Sequence, residues 1–234
     1  MDRPSRRSPS PPMKALSPRV HDLLEIDGRS LLRFLPPPPA WLNENLGTHC
    51  HVVTRRLDPA EYQIPIGICG TLRNQRFATS IPRTLVKSIL TPPQVLRLAG
   101  GLSRPRLSAL KSLVSLKKRW GALSFEWGPI GSVALELATG SRRVNAQSDL
   151  DIVVHASDRF TADDAKVIFG TTLGLPAKVD IRVETPFCGF SLFEFGWAHS
   201  GNILLRTHAG PILGSNPWDD SLVADAARPI VGGA

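Results

Sequence analysis

Ser148-Asp149-Leu150-Asp151-Ile152-Val153-Val154, with Gly131-Ser132 upstream of it, decides how the chain is read. Strand side chains alternate, so Asp149 and Asp151 share a face about 6.6 Å apart along the backbone while Leu150, Ile152 and Val154 face the other way. One face suits ions and the other a core. Two carboxylates so placed repel by roughly 4 kcal/mol if their oxygens approach to about 4 Å at an effective dielectric near 20, unless a cation sits between them. Magnesium (Mg2+), with manganese (Mn2+) as an alternative, takes a few carboxylate oxygens, keeps several waters and completes its shell with substrate phosphates. The pair therefore reads as half of a metal site for a polyphosphate, the chemistry of nucleotidyl transfer.

A third acid is expected nearby, and Asp180 is the candidate. In Lys178-Val179-Asp180-Ile181-Arg182-Val183-Glu184 apolar and polar residues alternate as in a half-buried strand. Paired beside the Asp149 strand with both apolar faces in the core, it projects Asp180 toward the same metals. Three acids can hold two ions, which clamp the attacking and leaving oxygens of an in-line displacement at phosphorus. A solvated strand face would also describe Asp180, Arg182 and Glu184, and Arg182 would pair with Asp180 or with phosphate. Upstream, residues 124–132 read as a short strand, a turn and a helix over 133–137. Gly131 permits close backbone approach to an anion, free N–H groups at a helix start bind phosphate oxygens, and Ser132 adds a hydroxyl. Arg142 and Arg143, in the loop that leads into the acidic strand, are candidates to offset the remaining phosphate charge, against a solvated role in a polar loop.

Gly-Ser, a spacer of 16 residues, Asp-x-Asp on a strand and a later strand Asp together resemble the nucleotidyltransferase superfamily. Trp127-Gly128-Pro129-Ile130-Gly131-Ser132, Glu136-Leu137-Ala138-Thr139-Gly140, Ser148-Asp149-Leu150-Asp151, Val179-Asp180-Ile181, Phe190-Ser191-Leu192-Phe193-Glu194 and Leu204-Leu205-Arg206-Thr207 are similar to one family within it. It is the malonate decarboxylase holo-acyl-carrier-protein synthase, or phosphoribosyl-dephospho-CoA transferase, family. His21-Asp22-Leu23-Leu24, Val53-Thr54-Arg55-Arg56 and the run from Ile64 to Arg76 resemble its first domain, so the likeness covers nearly everything after residue 20. The resemblance implies transfer of a phosphoribosyl-dephospho-CoA group from 2′-(5″-triphosphoribosyl)-3′-dephospho-CoA to a serine of the apo acyl-carrier subunit of malonate decarboxylase, with release of diphosphate. In that reaction magnesium on Asp149 and Asp151 would hold the triphosphate, and Gly131 and Ser132 the leaving diphosphate. Asp180 would help a second metal activate the serine, or accept its proton. The likeness also makes Glu194 a site candidate. Asp-x-Asp chemistry alone equally suits an enzyme that uses an ordinary nucleoside triphosphate on another acceptor.

The chain of 234 residues, 42% of them apolar, supports an α+β protein. The expected architecture is a small mixed sheet with helices in a nucleotidyltransferase-like domain over residues 106–226, after a smaller domain over 20–98. Short runs at residues 50–55 and 67–71 suggest twisted strands in that first domain without assigning its fold, and residues 67–76 are candidates to touch CoA or the carrier. The break is placed within residues 91–106, where Pro92-Pro93, Gly100-Gly101 and Pro105 punctuate the chain. Beyond it, Leu107, Leu110, Leu113, Val114 and Leu116 predict an amphipathic helix. Thr161 predicts an N-cap for a helix that ends near Gly170, and residues 190–199 predict the last helix.

Residues 1–19 are Pro- and Ser-rich, cannot bury enough apolar surface to offset ordering entropy, and are expected to be disordered. Met13 offers an alternative start. Arg3, Arg6, Arg7, Lys14 and Arg19 against Asp2 give this segment half of the +8 formal charge, which leaves the remainder only modestly basic. A pI near 10.0 raises nucleic-acid binding as a rival reading. Aromatic residues at 6% and the lack of a basic-aromatic stripe argue against it. No signal-peptide core precedes His21 and no apolar run is long enough to span a bilayer. Cys50, Cys69 and Cys188 lack paired spacing, which fits a reducing, cytoplasmic setting without a zinc knuckle. His49 and His51 would bind a metal only with a third ligand, and the four prolines at 36–39 read as a rigid turn.

Overall fold

The computed structural model describes residues 17–31, 39–45, 50–56, 63–70, 72, 74–103, 105–121, 123–199 and 201–224. The tail before residue 17, His49 and the prolines at 36–38 lie outside them.

The first layer is a five-stranded antiparallel sheet of β1 (Leu23–Ile26), β2 (Cys50–Thr54), β3 (Gln63–Cys69), β4 (Arg76–Pro82) and β5 (Val86–Leu90), in the order β4-β3-β2-β1-β5. Its fold, which the sequence pattern does not assign, follows from alternation. Leu24, Ile26, Val52, Ile64, Ile66 and Ile68 point to one side, where α1 (Gly28–Leu31) and α2 (Ala40–Asn45) contribute Leu31 and Leu42 to the core. Leu23, Val53, Cys69 and Leu90 point to the other side.

The second sheet comprises β6 (Glu126–Pro129), β7 (Leu150–His155), β8 (Val179–Glu184), β9 (Gly189–Ser191), β10 (Ile203–Thr207) and β11 (Gly210–Gly214), in sequence order across the sheet. Only β7 and β8 among neighbouring strands run parallel, and α6 (Ala162–Gly170) makes the crossover between them. Leu150, Ile152, Val154, Val179, Ile181, Val183, Phe190 and Leu205 share one core with Leu110, Leu113 and Leu116 of α4 (Ser108–Arg119), the predicted leucine stripe. Thr161 caps α6 through a reciprocal box with Asp164, as its sequence predicts. Mixed helix and sheet in these two layers make the chain α+β, as expected.

Three expectations change. Within residues 91–106 the Pro92-Pro93 punctuation is itself helical, because Thr91 and Gln94 form a capping box and the two prolines occupy the first turn of α3 (Pro92–Leu98). Proline is accepted where an N–H would go unused, so the dipeptide starts a helix here instead of breaking the chain. Second, the last helix of residues 190–199 shrinks to α7 (Leu192–Trp197), since Phe190 pairs with Val183 in the sheet and is 1% exposed. Third, Arg19, assigned to the tail, is held by the fold. Its guanidinium reaches Glu126 at 2.8 Å and its N–H donates to Asp22.

The two sheets meet through α5 (Gly131–Thr139). Val133 enters the core of the second sheet, while Ala134 and Leu135 pack with Leu23 and with Val95 of α3. The short α8 (Ser221–Ala224) follows the last strand. α3 lies so close to β6 that a Cβ on Gly128 would overlap the Pro92 carbonyl. Gly128→Ala should therefore destabilise by at least the roughly 1–3 kcal/mol typical of overpacking, a fall in Tm of roughly 2–12 °C. Thermal unfolding checks this, and an unchanged Tm would show that α3 can move away at little cost.

Candidate active site

The acidic residues meet because of strand register. In the parallel β7–β8 ladder Asp151 lies directly opposite Asp180, Val153 opposite Arg182, and His155 opposite Glu184. These positions form the polar face of the second sheet, turned away from its helices. Asp149 precedes β7 instead of lying within it, and is exposed at the strand's mouth. Its loop is tightly organised. Glu136 accepts the N–H groups of Arg143 and Val144 at 2.8 and 2.7 Å, Ser148 accepts that of Asn145, and Leu150 donates to Lys178 O.

The glycine-serine turn abuts the same carboxylates. Ile130 N–H donates to Asp151 O at 2.9 Å, and Gly131 begins α5 with φ +63°. A Cβ on Gly131 would stand 2.7 Å from Asp151 Oδ2, so both the backbone angle and the neighbour call for glycine. Ser132 follows in the first turn, where helical N–H groups have no intrahelical partner.

The electrostatics are those of crowded like charges. Burial, then Asp180 and Asp149, push the Asp151 carboxyl above the usual aspartate range, while Arg182 and Arg76 pull it back. Arg182 stands 3.4 Å from Asp180 Oδ2. A divalent cation would relieve this repulsion, and an all-carboxylate set is the hard-oxygen environment that magnesium takes. Among the described residues no group of three or more His, Cys, Asp or Glu is already gathered in a metal-holding arrangement. Asp151 and Asp180 oppose one another, with Asp180 turned onto Arg182.

Other candidates go elsewhere. The Arg143 guanidinium donates to Gly70 O at 2.8 Å, so it ties the loop before β7 to the end of β3. Arg142 is exposed. Glu194 sits exposed in the first turn of α7, whose Glu194 N–H is capped by the Ser191 hydroxyl. In the stretch proposed to touch CoA, Arg76 acts on Asp151, while Thr71 and Arg73 lie outside the described residues.

The contact between the sheets was not foreseen. Glu184, 8% exposed, is paired with Arg56 from just after β2 and lies 3.1 Å from His21 Nε2. Burial and the positive charges of Arg56 and Arg182 hold the His21 pKa near 4 in spite of that carboxylate, so the imidazole is neutral and donates its Nε2–H to Glu184. His21 is also the one non-glycine residue with positive φ, +73°, among the described residues. His155 beside it is likewise lowered to about 4, by burial and then Arg19. Alternation flagged Glu184 as polar, but nothing local could reveal partners more than a hundred residues away.

Residues 97–217 match the family model described as Phosphoribosyl-dephospho-CoA transferase MdcG C-terminal domain, and residues 19–92 match the corresponding N-terminal domain. Proteins named phosphoribosyl-dephospho-CoA transferase are similar along most of their length. The one from Klebsiella pneumoniae is 30% identical over 207 residues, 86% of this chain and 97% of that protein. The one from Pseudomonas putida is 32% identical over 203 residues, 86% and 96% of the two chains. That from Azotobacter vinelandii is 32% identical over 209 residues, 87% and 95%. No solved structure matches the chain. No helix of the described residues is long and apolar enough to cross a membrane.

The two histidines make stability depend on pH. Each has a folded-state pKa near 4 against an ordinary 6.5, so between these values the unfolded chain binds protons that the native one does not. Stability should be intact above pH 6.5 and fall as pH drops toward 4, by at most on the order of 3 kcal/mol for His21. Denaturant unfolding of the protein and of His21→Asn across this window checks the sign. The variant should lose less stability on acidification, and an equal loss would show that His21 is not held neutral.

Proposed function

Because the chain belongs to the phosphoribosyl-dephospho-CoA transferase family, we propose that it transfers the phosphoribosyl-dephospho-CoA group from 2′-(5″-triphosphoribosyl)-3′-dephospho-CoA to a serine of the apo acyl-carrier subunit of malonate decarboxylase, and releases diphosphate. The observation that carries this reading is the register that sets Asp151 against Asp180 with Gly131 pressed onto Asp151. In the reaction the carrier serine Oγ attacks the α-phosphorus of the 5″-triphosphate. A P–O bond forms there, the bond to the β-phosphate's bridging oxygen breaks in line, and diphosphate departs with that oxygen as the serine loses its proton.

Asp149, Asp151 and Asp180 are the residues proposed to hold magnesium, which when bound neutralises triphosphate charge and makes the serine hydroxyl more acidic. The chain's own groups do the positioning. Gly131 lets the first turn of α5 approach the phosphates, and the N–H groups and Ser132 hydroxyl there receive the charge that grows on the leaving diphosphate. Asp180, exposed enough to be reached, is the group placed to accept the serine proton. Glu136 fixes the loop that presents Asp149, so its contribution is orientation. The catalytic unit is the domain proposed over residues 106–226, with the domain over 20–98 packed on its polar face.

Incubating the protein with magnesium, triphosphoribosyl-dephospho-CoA and apo carrier should add one phosphoribosyl-dephospho-CoA to the carrier and release one diphosphate. Mass spectrometry of the carrier reads this. An adenylylated carrier formed from ATP, with no use of the CoA derivative, would overturn the assignment. Asp151→Asn should reduce transfer by roughly a hundred- to a thousandfold or more. Its Tm should stay level or rise, because the buried charge it removes is disfavoured by burial and by Asp180. Retained transfer in that variant would remove Asp151 from the site.

A further inference from the structure

Two cavities open between the sheets, beside the carboxylates and not over them. One, of about 280 Å³, is lined by Arg55, Arg56, Arg182, Arg206, His21 and Glu184 among others. The second, of about 310 Å³, shares Val20, Thr54, Arg55, Arg56 and Glu184 with it and adds Arg19, Arg83, His155 and His208. The shared walls make them two lobes of one groove. Arg182 joins the groove to the acidic cluster, since the same guanidinium faces Asp180.

The groove has more positive charge than the protein uses. Glu184 is the acidic residue of the first lobe, and Arg56 and His21 already satisfy it. Among the described residues Arg206 Nη1 is buried without a hydrogen-bond partner, and so are the neutral-ring atom His155 Nε2 and His208 Nδ1 in the second lobe. A buried guanidinium N–H such as that of Arg206 is costly unless something accepts from it. Placement on the sheet gives the direction. Arg206 sits opposite Gly189, and Gly189 opposite Glu184. Arg182, and beyond it Arg56 and Arg206 around Glu184, thus continue the polar face about 7–13 Å along β8 from Asp180, two to four residues at strand rise.

We propose that this groove binds the diphosphate bridge of the dephospho-CoA part of the donor, while the acidic cluster takes the triphosphate end. The inference rests on the transfer reaction proposed above and adds a second anion subsite to it. In that donor two ribose rings separate the triphosphate from the bridging diphosphate. The molecule thus needs two phosphate sites side by side, one able to accommodate a leaving group and one that only grips. Guanidinium forks suit the second task, because they bind phosphate oxygens in pairs and do not titrate.

Dephospho-CoA, which lacks the triphosphoribosyl group, isolates the groove from the chemistry. Calorimetric titration should show it binding the wild-type protein, with inorganic diphosphate competing. Arg206→Gln should weaken binding about tenfold or more, the loss expected for a charge-assisted hydrogen bond. Arg55→Gln, whose exposed side chain makes misfolding no concern, should weaken it as well. Lys111→Gln, which removes the same charge from the exposed face of α4, should not. Equal dephospho-CoA affinity in the wild type and both arginine variants would overturn the proposal. So would tight binding of inorganic diphosphate with none of dephospho-CoA, which would assign the groove to the released product. Failure of the two readings is distinguishable. Arginine-dependent dephospho-CoA binding without transfer to any carrier sustains the groove and sinks the reaction, whereas transfer with arginine-independent binding does the reverse.

Discussion

The parallel pairing of β7 with β8 is the constraint on which the rest depends. It sets Asp151 against Asp180 on a half-buried face, an arrangement that costs stability on its own because neighbouring carboxylates repel where solvent screens them poorly. The apolar side of the same two strands makes that register compulsory. A slip of β8 by one residue would move Ile181 and Val183 out of the core and turn Asp180 and Arg182 into it. Packing thus holds the charges together, and the strain so stored is of the kind that gathers at functional sites.

The second organising contact lies between the sheets. Gly131 and the start of α5 stand on Asp151, while the opposite face of α5 packs with Leu23 and Val95, so one nine-residue helix links acid cluster and domain contact. Arg143 ties the loop before β7 to Gly70, and Arg56 and His21 embrace Glu184. The N-terminal sheet therefore does more than cover a surface. It supplies one wall of the arginine-lined groove whose other wall is the second sheet, the arrangement that the proposed long donor with anionic groups at two places would need.

Much of this was legible in the sequence where the signal was local. Alternation around Asp151 and Asp180 located the two strands and the face on which these acids oppose one another, although Asp149 falls just before the first strand, and Thr161, the α4 leucines and Gly131-Ser132 marked helix starts and packing. Legibility failed where one residue type serves two purposes. Pro92-Pro93 reads as a break but is a good first turn, and Phe190 fits a helix pattern yet belongs to a strand that only its pairing with β8 defines. It failed altogether for the groove. Arg206, Arg56, His21 and Glu184 come from four places in the chain, and each alone looks like a solvated charge. Only the docking of two separately formed sheets brings them together.

Whether Asp151 and Asp180 share an ion is read by titrating manganese, a paramagnetic stand-in for magnesium, into the metal-free protein under electron paramagnetic resonance. The manganese site should tighten when the triphosphate donor is present and be lost in both Asp151→Asn and Asp180→Asn. Manganese binding unchanged by either substitution would show that these two opposed carboxylates do not share an ion.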